Sequence, residues 1–224
     1  MSSGLAVTAE IKFCGMTRAE DARRAAELGA SYVGVIFAGG PRNLSVARAR
    51  EVLADIPPNV RRVGVFADQS AKEICAAVME AGLDVVQLHG ASAAGRIADI
   101  RGVCSVEVWT VLRLASATIA PQAIDVVAAA DAVLLDAFVP GKLGGTGVAL
   151  PWTELAETVG QLRGARKIVL AGGLRPDNVA QAIAALHPDI VDVSSGVEQS
   201  PGIKDHERMR AFRDAVAEAS QILT

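Results

Sequence analysis

With 224 residues and 51% hydrophobic content, the chain is long enough for one domain of barrel size or two small ones and has ample material for a large core. A formal net charge of −3, with no run of lysine and arginine, argues against nucleic acid or an anionic membrane as partner, and leaves room for a small anion held by local donors. Cys14, Cys75 and Cys104 are too few and too scattered for a disulfide framework or a zinc knuckle, and no segment has the pattern of a signal peptide or a membrane span, so a cytoplasmic protein with reduced thiols is expected.

Along the chain, short β-branched apolar runs alternate with longer alanine-rich segments at helical period. Strands are predicted near Ile11–Cys14, Tyr32–Phe37, Arg62–Phe66, Val85–Leu88, Val106–Leu112, Ala132–Leu135, Lys167–Ala171 and Ile190–Val193. Helices fall between them: Arg18–Leu28 closed by Gly29, Ala71–Ala81 closed by Gly82, and a seventh started by Pro176 with Val179, Ile183 and Leu186 facing inward. Eight such units, undivided by any linker, predict an α/β fold, a single (β/α)8 TIM barrel spanning residues 1–224. The one long glycine-rich connection, Pro140–Gly147 after the sixth strand, has the composition of a mobile functional loop.

In such a barrel the carboxyl ends of all strands share one face, and the active site sits there. Cys14, Gln87, His89, Arg113, Asp136 and Ser194–Gly196 all fall at or just after strand ends. Period-two alternation points Lys12 the same way as Cys14, and Asp192 the same way as Ser194. Since strands one and eight are neighbours in a closed barrel, Lys12 and Asp192 either pair below the site or one of them faces a helix. Gly172-Gly173 after strand seven and Ser195-Gly196 after strand eight stand where barrels grip a phosphate with backbone N–H groups; either pair alone reads as turn punctuation, both together as a phosphate site. His187 and His206 read as surface residues at the opposite end.

Several motifs in one order carry a resemblance. Lys12, Cys14, Gly15 and Thr17, then Pro41-Arg42 and Ser45, Val86 to Gly90, Leu134 to Ala137, Gly144 to Gly147, Leu170 to Leu174 with Pro176 and Asn178, Asp192 to Glu198 and Gly202 to Asp205 together resemble the phosphoribosylanthranilate isomerase family from first strand to last helix. Two stretches depart from it: Gly39 to Arg42 is shorter than usual, and Val148 to Pro151 replaces the customary residues ahead of Trp152.

The resemblance implies an aldose–ketose isomerase of tryptophan biosynthesis, cofactor-independent and metal-free, a monomer or homodimer acting on a small phosphosugar-anthranilate. It implies Cys14 as general base, Asp136 as general acid, Arg42 as ligand of the anthranilate carboxylate, and Gln87 and His89 as substrate-binding residues. A thiol near 8.5 and a carboxyl near 4 must each shift toward neutrality for those roles; a cationic Lys12 favours the thiolate, and the apolar run before Asp136 holds its proton. Without the resemblance, Cys14 reads as a buried structural cysteine, Asp136 as a loop or cap carboxylate and Arg42 as a solvated surface residue. A metal-dependent sugar-phosphate epimerase requires more strand-end ligands than His89, and a phosphosugar-binding module without turnover is the other alternative.

Overall fold

Strands buried on both faces need near-continuous apolar runs, whereas the helices covering them need only an apolar stripe, and the two patterns assort here as they do in the sequence. In a computed structural model describing residues 9–90, 94–114, 123–137, 152–162 and 166–222, eight parallel strands close into a barrel in chain order. They are β1 (Glu10–Phe13), β2 (Tyr32–Ile36), β3 (Arg61–Phe66), β4 (Val85–Leu88), β5 (Glu107–Leu114), β6 (Ala132–Ala137), β7 (Lys167–Leu170) and β8 (Ile190–Val193). The register that sets Lys12 opposite Asp192 and Phe13 opposite Val193 joins the last strand to the first. The expected barrel is thus the fold. The connections Pro140–Gly147 and Val148–Pro151 lie outside the described residues.

Around the barrel lie α1 (Ala19–Glu27), α2 (Val46–Val52), α3 (Ala71–Ala81), α4 (Ala94–Val103), α5 (Ala123–Ala129), α6 (Trp152–Leu162), α7 (Val179–Leu186) and α8 (His206–Ile222), with a short ribbon of β9 (Glu198–Ser200) and β10 (Ile203–Lys204) between β8 and α8. The α3 helix shows why its bounds are legible: Ser70 and Glu73 form a reciprocal capping box at its start, and Gly82, at φ 64°, ends it in the left-handed region. Pro176 does not start α7. The chain turns first, Asn178 accepting from the Arg175 N–H and donating to the Gly173 carbonyl, and the helix begins at Val179. Its inward stripe of Val179, Ile183 and Leu186 is buried as expected. Among the described residues no helix is long and apolar enough to cross a membrane.

Alternation along each strand divides two cores. Outward residues such as Ile11, Phe13, Val33, Val35 and Val191 pack with the helices. Phe13 is fully buried and meets Phe212 of α8 edge to face at 6.0 Å, so its truncation to alanine is worth about 3–5 kcal/mol. Inward residues Tyr32, Val63, Val85, Trp109, Leu134, Val169 and Ile190 fill the barrel. Above that apolar plug the same inward register delivers Lys12, Gln87, Asp136 and Asp192, so the layered core is the floor on which the polar site is built.

Candidate active site

The carboxyl ends of the strands surround a cavity open to solvent, lined among others by Cys14, Arg42, Gln87, His89, Asp136, Gly172, Gly173, Ser195 and Gly196. All nine site residues expected from the sequence therefore meet in one place. Val65, Leu134 and Ala171 give it apolar walls.

Cys14 follows β1 and extends its ladder, donating its N–H to the Val193 carbonyl at 2.9 Å. Of the two readings for Lys12 and Asp192, the paired one holds: Nζ lies 2.8 Å from Oδ2, with the lysine wholly buried. Burial works against the charge on Lys12, but Asp192 and the adjacent Cys14 raise it above the usual lysine value. The thiol does not shift toward neutrality. Burial pushes it up, and the pull of Lys12 does not overcome burial aided by the Asp192 carboxylate.

Across the cavity Asp136, near the end of β6, is 5% exposed, and its Oδ2 lies 4.0 Å from His89 Nε2. His89 is pushed down to about 4 by burial and by the nearby charges of Arg113 and Lys12, so it is a neutral imidazole at neutral pH. Arg113, within β5 rather than after it, donates to the His89 carbonyl at 2.6 Å. Gln87 Oε1, His89 Nδ1, Asp192 Oδ1 and Ser194 Oγ are buried without a hydrogen-bond partner among the described residues. Such groups cost free energy until a ligand pairs them. Among the described residues no three His, Cys, Asp or Glu side chains converge as a metal site.

Gly172 and Gly173 take φ values of 86° and 70°, a turn that ordinary residues resist. Facing them, Ser195–Val197 forms one 3-10 turn after β8. The loops touch so closely that a Cβ on Gly196 would lie 1.9 Å from the Leu174 carbonyl oxygen.

Arg42 reaches the cavity from the loop after β2, but it is not a solvated arginine. Its Nε and Nη2 bind Glu198 Oε1 and Oε2 at 2.7 and 2.5 Å. Glu198 and its second partner Lys204 belong to motifs noted in the sequence, yet no spacing there marks them as neighbours of Arg42 and Cys14. His206, expected at the far end, instead opens α8 at the carboxyl-end face, where its Nε2 meets the buried Asp21 Oδ1 of α1 at 2.8 Å. His187 does end α7, at the opposite face.

A closed (β/α)8 barrel that gathers a thiol, a carboxylate and an arginine around one strand-end cavity places its polar site where barrel enzymes carry theirs. A family model described as N-(5'phosphoribosyl)anthranilate (PRA) isomerase matches residues 11–215, and the chain belongs to that family. The N-(5'-phosphoribosyl)anthranilate isomerase of Acidithiobacillus ferrooxidans is 42% identical over 203 residues, covering 90% of this chain and 94% of the relative. Among solved structures, phosphoribosyl anthranilate isomerase from Thermotoga maritima superposes with a TM-score of 0.82 at 31% identity, over 94% of this chain and 99% of the other. A phosphoribosyl anthranilate isomerase in complex with reduced 1-(o-carboxyphenylamino)-1-deoxyribulose 5-phosphate superposes at 0.79 with 30% identity, over the same shares.

Proposed function

We propose that this chain converts N-(5-phosphoribosyl)anthranilate to 1-(2-carboxyphenylamino)-1-deoxyribulose 5-phosphate, an Amadori rearrangement in L-tryptophan biosynthesis, with no metal or organic cofactor. The observation that carries the reading is the meeting of Cys14, just after β1, and Asp136, next to last in β6, in one cavity beside two glycine-built loops.

Asp136 acts as general acid, protonating the furanose ring oxygen so that the ring opens to a cationic imine. Cys14, its own proton released to the open cavity so that it reacts as the thiolate, then removes the proton at the second carbon of the sugar, and the resulting enolamine tautomerises to the ketone. The imine cation acidifies that C–H and is also a positive charge beside Cys14. A thiol raised by burial is a strong base when it ionises, and the cation favours ionisation at the moment a base is needed. Lys12, in contact with Cys14 and anchored by Asp192, stabilises the thiolate.

Gly172, Gly173, Ser195 and Gly196 supply backbone N–H groups to the phosphate. Arg42 binds the anthranilate carboxylate, and Gln87 and His89 pair the sugar hydroxyls, which would satisfy Gln87 Oε1 and His89 Nδ1. The decisive assay feeds phosphoribosylanthranilate, generated in place, and follows loss of anthranilate fluorescence in the presence of a metal chelator. Turnover is expected to persist under chelation and to fall at least about 100-fold in Cys14→Ala and in Asp136→Asn. Absence of turnover in the unmodified protein, or its loss on chelation, would overturn the reading.

A further inference from the structure

Two buried side chains beside the cavity, Glu198 and Lys204, take no part in the acid and base steps. They belong to the ribbon that follows β8, Glu198 opening β9 and Lys204 ending β10. Lys204 Nζ donates to the Cys14 carbonyl at 2.6 Å, to the Ser194 carbonyl at 3.0 Å and to Glu198 Oε1 at 2.9 Å. Three acceptors around one nitrogen need three N–H bonds, which an ammonium has and a neutral amine lacks. The lysine is therefore charged, although burial pulls it below the usual lysine range. Burial likewise opposes the charge on Glu198, but Arg42 and Lys204 hold its carboxyl below the usual glutamate range.

The pair thus links three parts of the site. Lys204 ties the end of β1 at the base to the end of β8 at the phosphate loop. Glu198 occupies the Nε–Nη2 edge of Arg42 fork to fork, which fixes the guanidinium plane and leaves Nη1 and one Nη2 hydrogen for another carboxylate. Gly15 admits that arrangement: a Cβ there would lie 2.6 Å from Arg42 Cδ and 2.9 Å from Ser194 Oγ. Lys204 is itself anchored, its backbone N–H donating to the buried Asp21 at 3.2 Å.

We propose that Glu198 and Lys204 are positioning residues for this reaction, a single buried ion pair that sets Cys14 and Arg42 at a fixed separation. The inference rests on the function proposed above. It follows from scale: a misplacement of about 1 Å between a catalytic group and its substrate costs about 100-fold in rate.

The test compares Glu198→Gln, Lys204→Met and the double variant by steady-state kinetics, thermal melting and iodoacetamide alkylation of Cys14 read by mass spectrometry. Glu198→Gln is expected to raise KM about tenfold and to lower kcat less, because it loosens the aryl-carboxylate arginine. Lys204→Met is expected to lower kcat about tenfold or more. The double variant removes both charges and keeps the shape, so its melting temperature should return toward the parent value while both kinetic defects remain. A double variant with parental kcat and KM, or a Lys204→Met variant whose only defect is a lower melting temperature, overturns the inference.

If the unmodified protein fails to turn over phosphoribosylanthranilate, the functional reading falls, and alkylation decides the positioning role separately. The charged groups acting on Cys14 are Lys12, Asp192, Lys204 and Arg42. Lys204 favours the thiolate, so Lys204→Met should move alkylation to higher pH. An unchanged profile counts against the proposal.

Discussion

Gly34 of β2 lies against the thiol of Cys14: a Cβ at Gly34 would stand 2.9 Å from Sγ and 3.4 Å from Lys12 Nζ. Its backbone is ordinary strand, so alanine fits the chain but not the space. Gly34→Ala should therefore displace the thiol with little backbone strain. The expected result is a fall in kcat of about tenfold or more with a melting temperature within a few degrees of the parent. Parental kcat in this variant would mean that the thiol position does not matter to the reaction.

Lys12 is the chief group pulling the Cys14 thiol down, and Asp192 is its ion-pair partner. Lys12→Met should raise the thiol further and lower turnover, and it leaves the Asp192 carboxylate buried without its cation. Breaking a buried pair on one side costs about 3–5 kcal/mol, whereas neutralising both sides is often tolerated. Urea denaturation should therefore show a large loss in Lys12→Met that is mostly recovered in Lys12→Met/Asp192→Asn. Turnover should not recover with it, since the thiolate still lacks its cation. Recovery of both together would assign the pair to stability alone.

The strands were legible because a strand covered on both faces must be a β-branched run, and period-two alternation then told which of its residues face inward. Alternation sets Lys12 on the side of Cys14 and Asp192 on the side of Ser194, while Gln87 and Asp136 are legible from their places at strand ends. What alternation omits is contact between side chains far apart in the chain. Arg42 and Glu198 are 156 residues apart, and Lys204 reaches Cys14 across 190. The start of α7 is not legible in the sequence because a proline at a helix's first turn and one in the preceding turn look alike, and the Asn178 bonds that choose between them depend on the folded loop. The net rise of the Cys14 thiol was equally hidden: Lys12 is visible in the sequence, but the weight of burial against it is not.

His89 gives the fold a pH dependence of predictable sign. Its pKa falls from an ordinary 6.5 to about 4 on folding, so between those values the unfolded chain binds the proton and the folded chain does not. Stability from this group is fully present above about pH 6.5, declines as pH falls through the window, and levels off below about 4. The total is about 3 kcal/mol. Replacing the residue, as in His89→Asn, should flatten the slope of unfolding free energy against pH between 4 and 6.5. An NMR titration should find the His89 ring still neutral at pH 5; half-protonation near 6.5 would contradict the burial and charge argument.

The proposed phosphate grip depends on the approach of two loops, and Gly196 is where they meet. A Cβ at that position would lie 1.9 Å from the Leu174 carbonyl oxygen and 3.0 Å from its carbonyl carbon, backbone that cannot rotate away as a side chain can. Gly196→Ala must therefore separate the loop after β7 from the turn after β8 by about 1.5 Å to reach ordinary contact. Hydrogen bonds from backbone N–H groups weaken steeply over such a distance. Cys14, after β1, and Asp136, in β6, belong to other elements than this junction. The expected outcome is a KM raised at least about tenfold, weaker competitive inhibition by inorganic phosphate, and a smaller fall in kcat. Alkylation of Cys14 should be unchanged, showing that the strand ends remain in place. If phosphate inhibits the variant as well as the parent, the anion is held elsewhere, and the two glycine-built loops serve only to turn the chain.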